Sequence, residues 1–206
     1  MSKTLNFLCQ DLTKSFGGNN VLNGCSLKIE AGEFIGIVGE NGSGKSTFVR
    51  CLLGFLKPDS GSFFLPRHIG YCPQDNILNS KYKVSEHLLL AKAITKKNWV
   101  VHVEYLDSCL KRLKLLPYLK SRIGDLSSGT YQKVKFLTSI FHLPDLLILD
   151  EPYDGFDWQM YLVFWEIIAE IKSRGTSIMM ISHLIYDRDK FDKIFSMKEG
   201  YLEQTQ

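Results

Sequence analysis

The feature that most constrains this chain is the run "FIGIVGENGSGKSTFVRCLL", where an apolar stretch passes through a glycine-rich turn into a helical pattern. Residues 39 to 47, "GENGSGKST", fit the spacing GxxxxGK[ST] and lie directly after a predicted strand and directly before a predicted helix. That context turns a glycine-rich loop into a phosphate cradle. Gly39, Gly42 and Gly44 let the backbone wrap close to phosphate oxygens, and the helix beginning near Lys45 points its unpaired N–H groups and positive dipole end at them. Lys45 supplies a charge for the β and γ phosphates, and Ser46 a hydroxyl for Mg²⁺.

A cradle of this kind serves kinases, GTPases and ATPases alike, and the stretch "LLILDE" narrows the choice. Four apolar residues, Leu146 to Leu149, predict a strand buried on both faces that delivers Asp150 and Glu151 to its carboxyl end, where open α/β sheets place ligands. Asp150 can hold the Mg²⁺ shell, and Glu151 can accept a proton from an attacking water or orient it.

The rest of the chain reads as an α/β alternation interrupted by helices. Short β-like runs, "TLNFLCQ" and "CSLKIEAGE", precede the cradle, and "SFFL" and "HIGYC" follow it. From about Val84 to His142 the texture becomes helical, in "VSEHLLLAKAI", "VEYLDSCLKRLKLL" and "SSGTYQKVKFLTSIFHL". Alternation resumes with "DLLILDE", the helix "WQMYLVFWEIIAEIKSR" and the strand "TSIMMIS", and "DKIFSMKEGYLEQ" predicts a closing hairpin. In "IGDLSSGTYQKVKF" either Ser127 or Ser128 can cap the helix start.

Bulk properties exclude several classes. The 206 residues are 45% hydrophobic, enough for a real core. A formal charge of +3 is too small to argue for nucleic acid, and the basic run "KRLKLLPYLKSR" is expected to be a solvated helix face. No stretch approaches the ~20 apolar residues of a membrane span, and the amino terminus lacks a signal peptide's apolar middle, so a cytoplasmic location is expected. Five scattered cysteines, without metal-site spacing, predict reduced thiols mostly in the core.

Taken together, these motifs resemble the ATP-binding-cassette (ABC) ATPases nearly end to end. The resemblance implies one domain over residues 1–206: a P-loop α/β core with a mostly parallel sheet, an amino-terminal antiparallel β subdomain, and a helical subdomain at about 84–142 carrying the signature motif. "YCPQDN" is similar to the family's glutamine loop, which puts Gln74 at the metal and the nucleotide beside Ser46 and Asp150. "LSSGT" resembles the signature usually written LSGGQ, so Ser127, Ser128, Gly129 and Thr130 would contact the ATP held by an opposing subunit. Ser128 and Thr130 depart from that pattern while Ser127 and Gly129 keep it, and a working but weakened half-site is expected. "EPYDGFD" would place Asp157 at the subunit boundary, and "ISHL" makes His183 the switch histidine, catalytic with Glu151 and Lys45. "KSFGGNNVL" would make Phe16 the aromatic that stacks on adenine; Asn41, Ser43 and Thr47 complete the ATP contacts.

The function implied is an ATP-binding and ATP-hydrolysing subunit, with ATP and Mg²⁺, that dimerises head-to-tail around two nucleotides and drives a separate transmembrane permease from the cytoplasmic face. "IGYCPQDNIL" with "VSEHLLL" is most similar to cassettes of ABC-2-type exporters. The alternative weighed beside it is a soluble ABC ATPase of a non-transport complex such as metallocluster assembly.

Overall fold

The computed structural model describes residues 5–93, 100–183, 185 and 187–206. Thr4, Ile94 and Leu184, at the ends of three predicted stretches, lie outside the described residues.

The chain opens with a long antiparallel hairpin, β1 (Leu5–Phe16) and β2 (Asn19–Glu30). Its two-residue turn is Gly17–Gly18, with φ of 55° and 85°, the left-handed pair that lets a hairpin keep the strand twist. The strands run well beyond the two short stretches expected. Register shifts between Cys9 and Leu12 and between Lys14 and Ser15 break the alternation by which a strand is recognised. The strand β4 (Ser60–Phe64) pairs on the other side of β1, giving a three-stranded antiparallel sheet.

The second sheet has six strands: β3 (Phe34–Val38), β5 (Ile69–Cys72), β6 (Leu146–Asp150), β7 (Ser177–Ser182), β8 (Lys193–Lys198) and β9 (Tyr201–Gln204). Their order is β5-β6-β7-β3-β8-β9, parallel except for the β8–β9 pair. β6 and β7 are buried at every position, which explains their unbroken apolar runs. Successive residues still point to opposite faces. Leu147, Leu149, Ile178 and Met180 enter one core with Phe136, Phe164 and Ile168; Leu146, Ile148, Met179 and Ile181 enter the other with Phe7, Phe48 and Leu52.

Among the described residues five α-helices join the sheets, beside short 3-10 turns: α1 (Lys45–Leu52), α2 (Val84–Ala93), α3 (Val100–Arg112), α4 (Ser128–Ile140) and α5 (Trp158–Ser173). α2, α3 and α4 follow one another between β5 and β6, as the texture predicts. α3 and α4 stop short of the predicted ends, because Lys114 and Leu143 turn to φ of 57° and 50° just before Pro117 and Pro144. The basic run 111–122 is an ion-paired surface in part: Lys111 meets Asp107, and Arg112 bridges Glu166 and Glu170 of α5. All five cysteines are free and buried. Among the described residues no helix is long and apolar enough to cross a membrane.

The sheet register decides where chemistry collects. Val38 pairs with Ser182, Asp150 with Ile181 and Cys72 with Leu149, so β3, β5, β6 and β7 end together at one edge. That edge carries the cradle, the carboxylate pair, His183 and the Gln74 loop.

Candidate nucleotide site

The loop 39–44 leaves β3 and enters α1 through backbone that side chains would block. A Cβ on Gly39 would lie 2.3 Å from the Met197 carbonyl and 2.8 Å from Ser43 Oγ. Gly44, the N-cap of α1, has φ 109°, and a Cβ there would stand 2.8 Å from the Val21 carbonyl. No side chain caps this helix, which leaves its first N–H groups open to an anion. Lys45 is buried and folds back over the loop, donating to the Gly39 carbonyl at 2.5 Å and the Glu40 carbonyl at 2.8 Å. Burial pushes its pKa down, while Glu151 and Asp150 push it up. Ser43 is buried with its Oγ unpartnered, an orphan polar atom of the kind a phosphate oxygen would satisfy. Asn41 and Ser46 are exposed and Thr47 is half-buried.

Asp150 ends β6 buried, and its pKa rises to about 6, first from desolvation and then from the charge of Glu151, with Lys45 opposing. Glu151 is also buried and sits at φ 45°, a left-handed conformation unusual for a residue with a side chain. Its amide donates to the Ile181 carbonyl at 3.0 Å, and its carboxylate is clasped from β7: Ser182 Oγ donates at 2.9 Å and the His183 backbone N–H at 2.6 Å. The ring Nε2 of His183 is 3.5 Å from the same carboxylate and half-exposed. Backbone strain at a carboxylate held in this way is the kind of outlier that collects at functional sites.

No group of three or more His, Cys, Asp or Glu capable of holding a metal occurs among the described residues. The available donors, a serine hydroxyl at position 46, the Gln74 amide and one carboxylate at Asp150, suit Mg²⁺, which keeps its waters and takes remaining oxygens from substrate phosphates. The residues therefore fit that ion.

The other predicted residues are distributed as follows. Gln74 is exposed in the loop after β5. Phe16 is 47% exposed at the tip of the hairpin, with Lys14 Nζ 5.5 Å above its ring, leaving a free aromatic face. Ser127 is the N-cap of α4, accepting from the Thr130 N–H at 3.3 Å, which decides between the two serines. Ser128 is exposed, but Thr130 is buried and its Oγ1 lies 2.9 Å from Ser127 Oγ. The residue in the place of the family's glutamine thus turns inward. Gly129 has a role within the subunit as well: a Cβ there would approach the Gly155 carbonyl at 3.2 Å. Asp157 caps α5, accepting from the Met160 N–H at 2.8 Å.

The sequence reading missed Ser182, Gln132, Tyr131 and Lys135. Gln132 donates to the Pro152 carbonyl at 2.8 Å, tying α4 to the segment after Glu151. Tyr131 and Lys135 bind the Gln74 loop. The one visible signal was Lys135 itself, a charge between apolar Val134 and Phe136.

A parallel nucleotide-binding sheet whose edge gathers a phosphate cradle and an adjacent carboxylate pair defines a P-loop NTPase. The chain belongs to the ABC transporter family: the family model for ABC transporters matches residues 22–154, and the chain is an ABC ATPase. It is 33% identical over 192 residues, 93% of its length, to an uncharacterized ABC transporter ATP-binding protein of Methanocaldococcus jannaschii, and spans 73% of that relative. It is 29% identical to the Nod factor export ATP-binding protein I of Burkholderia lata, over 93% of this chain and 67% of the other. In structure it matches an ATP-binding subunit of an ABC transporter, with a TM-score of 0.90 at 25% identity over 96% of this chain and 88% of that one. It also shares the fold of a bacterial ABC transporter cassette solved as a dimer, with a TM-score of 0.83 at 21% identity over 96% of each chain.

Proposed function

We propose that this chain is the motor subunit of an ABC exporter: one domain that pairs head-to-tail with a second cassette around two ATP molecules and drives a transmembrane partner from the cytoplasmic face of the membrane. The observation that carries this reading is the convergence of Lys45, Asp150 and Glu151 at the common edge of β3, β6 and β7, with the strained Glu151 carboxylate held by Ser182 and His183. The Nod factor export relative supports the direction of transport, and the dimeric cassette of like fold supports the pairing.

The roles we assign are these. The open N–H groups of α1 and the Lys45 ammonium hold the β and γ phosphates once Lys45 releases the loop carbonyls, and Asn41, Ser43 and Thr47 line the same loop. Ser46, Gln74 and Asp150 would hold Mg²⁺, which supplies charge neutralisation at the phosphates. Glu151 accepts the proton of the attacking water, and His183 borders the γ phosphate beside it. Phe16 offers its free face to adenine. Ser127, Ser128 and Gly129, at the start of α4, face the nucleotide of the second subunit, with Asp157 nearby at the boundary. The helical unit at 84–142 carries that start and, with the Gln74 loop, offers a grip to the permease.

Phosphate release by the purified chain tests the chemistry. Lys45→Ala should abolish MgATP hydrolysis, and Glu151→Gln should bind ATP but turn over at least ~100-fold more slowly, the usual contribution of a general base. Near-normal turnover by both would refute the assignment.

A further inference from the structure

One face of α4 is tied to the Gln74 loop by two residues a single turn apart. Tyr131 Oη accepts the Leu78 backbone N–H at 2.9 Å. Lys135 Nζ donates to the Gln74 backbone carbonyl at 3.0 Å, from a side chain only 3% exposed. The spacing of four residues stacks the two side chains on one face of the helix, with Lys135 Nζ 6.0 Å from the Tyr131 ring centroid. Both attachments grip backbone, so the Gln74 side chain stays exposed and available. Burial pushes the Lys135 pKa down, opposed by Cys72 and then Asp150, and the Gln74 carbonyl gives the buried ammonium a hydrogen-bond acceptor. A neighbouring residue of the same helix, Gln132, reaches the other way to the Pro152 carbonyl.

We propose that Tyr131 and Lys135 are positioning residues that strap residues 74–78 to α4, so that the helix start at Ser127 and the loop carrying Gln74 move as one body. This rests on the shared-site reading above. The start of α4 would meet the nucleotide of the second subunit, while Gln74 serves the nucleotide of its own. The strap makes arrival of the opposing nucleotide set the position of Gln74, which couples the two sites through two hydrogen bonds and no change in the cradle. Neither residue touches ATP, so loosening the strap lowers turnover without weakening nucleotide binding.

The test uses Tyr131→Phe, which keeps the ring and loses only the hydroxyl, alongside Lys135→Met and the pair together. Turnover is measured against MgATP concentration. In a Glu151→Gln background, amide exchange is followed in segments 74–78 and 126–136 with and without MgATP. Each single substitution should lower kcat about tenfold, the worth of a hydrogen bond of this kind, and leave KM within about twofold. MgATP should still slow exchange in 126–136 but no longer in 74–78. Wild-type kcat with both segments still protected together would overturn the strap, as would equal loss of protection in both segments, which marks a merely structural contact. Should Lys135→Met fail to fold, Tyr131→Phe alone decides. Failure of the shared-site reading itself looks different: MgATP would then protect 126–136 in no protein, including the one with the strap intact.

Discussion

Replacing Asp150 by asparagine removes a charge that the folded protein tolerates at a cost. Burial and the adjacent Glu151 raise the Asp150 pKa from 3.8 to about 6, against the pull of Lys45. A raised pKa means that the native state prefers the protonated acid. The associated stability is fully present below pH 3.8 and is lost as pH rises through about 6. The difference corresponds to about 3 kcal/mol at neutral pH. Asparagine keeps the shape and never ionises, so Asp150→Asn should be the more stable protein at pH 7, by up to about 3 kcal/mol, or about 6 to 12 °C in Tm for a chain of this size. Thermal unfolding in EDTA, at pH 5 and pH 8, measures this. The gap between variant and wild type should be widest at pH 8 and about half as large at pH 5, midway between the two pKa values. The variant should also gain less from adding Mg²⁺ to ATP than wild type does, because it has lost the carboxylate that would hold the ion while the cradle still binds the phosphates. A variant less stable than wild type, or a gap of equal size at both pH values, would refute the reasoning.

Other outcomes follow from the same geometry. Ser127→Ala removes the cap of α4 and should cost about 1 kcal/mol, read as a drop in Tm, together with loss of ATP hydrolysis. Gly44→Ala meets both a left-handed φ and the Val21 carbonyl; it should destabilise the fold and abolish ATP binding by calorimetry. Ser128→Gly with Thr130→Gln breaks the inward contact to Ser127 and turns an amide outward, and should raise turnover about twofold to tenfold, the worth of one added hydrogen bond. No change or a fall there would make the departures neutral.

The parts of the site that were legible in the sequence are those whose constraint is local. The cradle is written in consecutive residues because its glycines answer to backbone shape, and Gly39 and Gly44 prove to be sterically required. Asp150 and Glu151 were readable because four apolar residues deliver them to a strand end. Contacts made across the fold were not readable. Ser182 reaches Glu151 only because β7 pairs with β6, and Lys135 reaches Gln74 only because α4 packs beside β5. The inward turn of Thr130 and the approach of Gly155 to Gly129 belong to the same class. Helix ends were overrun by a few residues, since apolar spacing continues past the left-handed turns at Lys114 and Leu143. The hairpin was underestimated for the opposite reason, its bulges interrupting a regular pattern.

The central claim is that each ATP site is completed by the start of α4 from a second subunit, and mixing two inactive chains tests it directly. One carries Lys45→Ala, which breaks its cradle. The other carries Ser128→Asp, at an exposed position where a carboxylate favours its own helix start but repels the opposing γ phosphate. Unit like charges ~4 Å apart repel by roughly 4 kcal/mol at an effective dielectric of 20. Ser128 is exposed, so this substitution does not force the approach to the Gly155 carbonyl that a side chain on Gly129 would make. In the mixed dimer the intact cradle of the second chain meets the intact helix start of the first. Random pairing should restore about one quarter of wild-type sites. The readouts are phosphate release and ATP-dependent dimer trapping with Glu151→Gln added to both chains. Recovery of either is the predicted result; recovery of neither, while the unsubstituted protein shows both, would contradict the shared site.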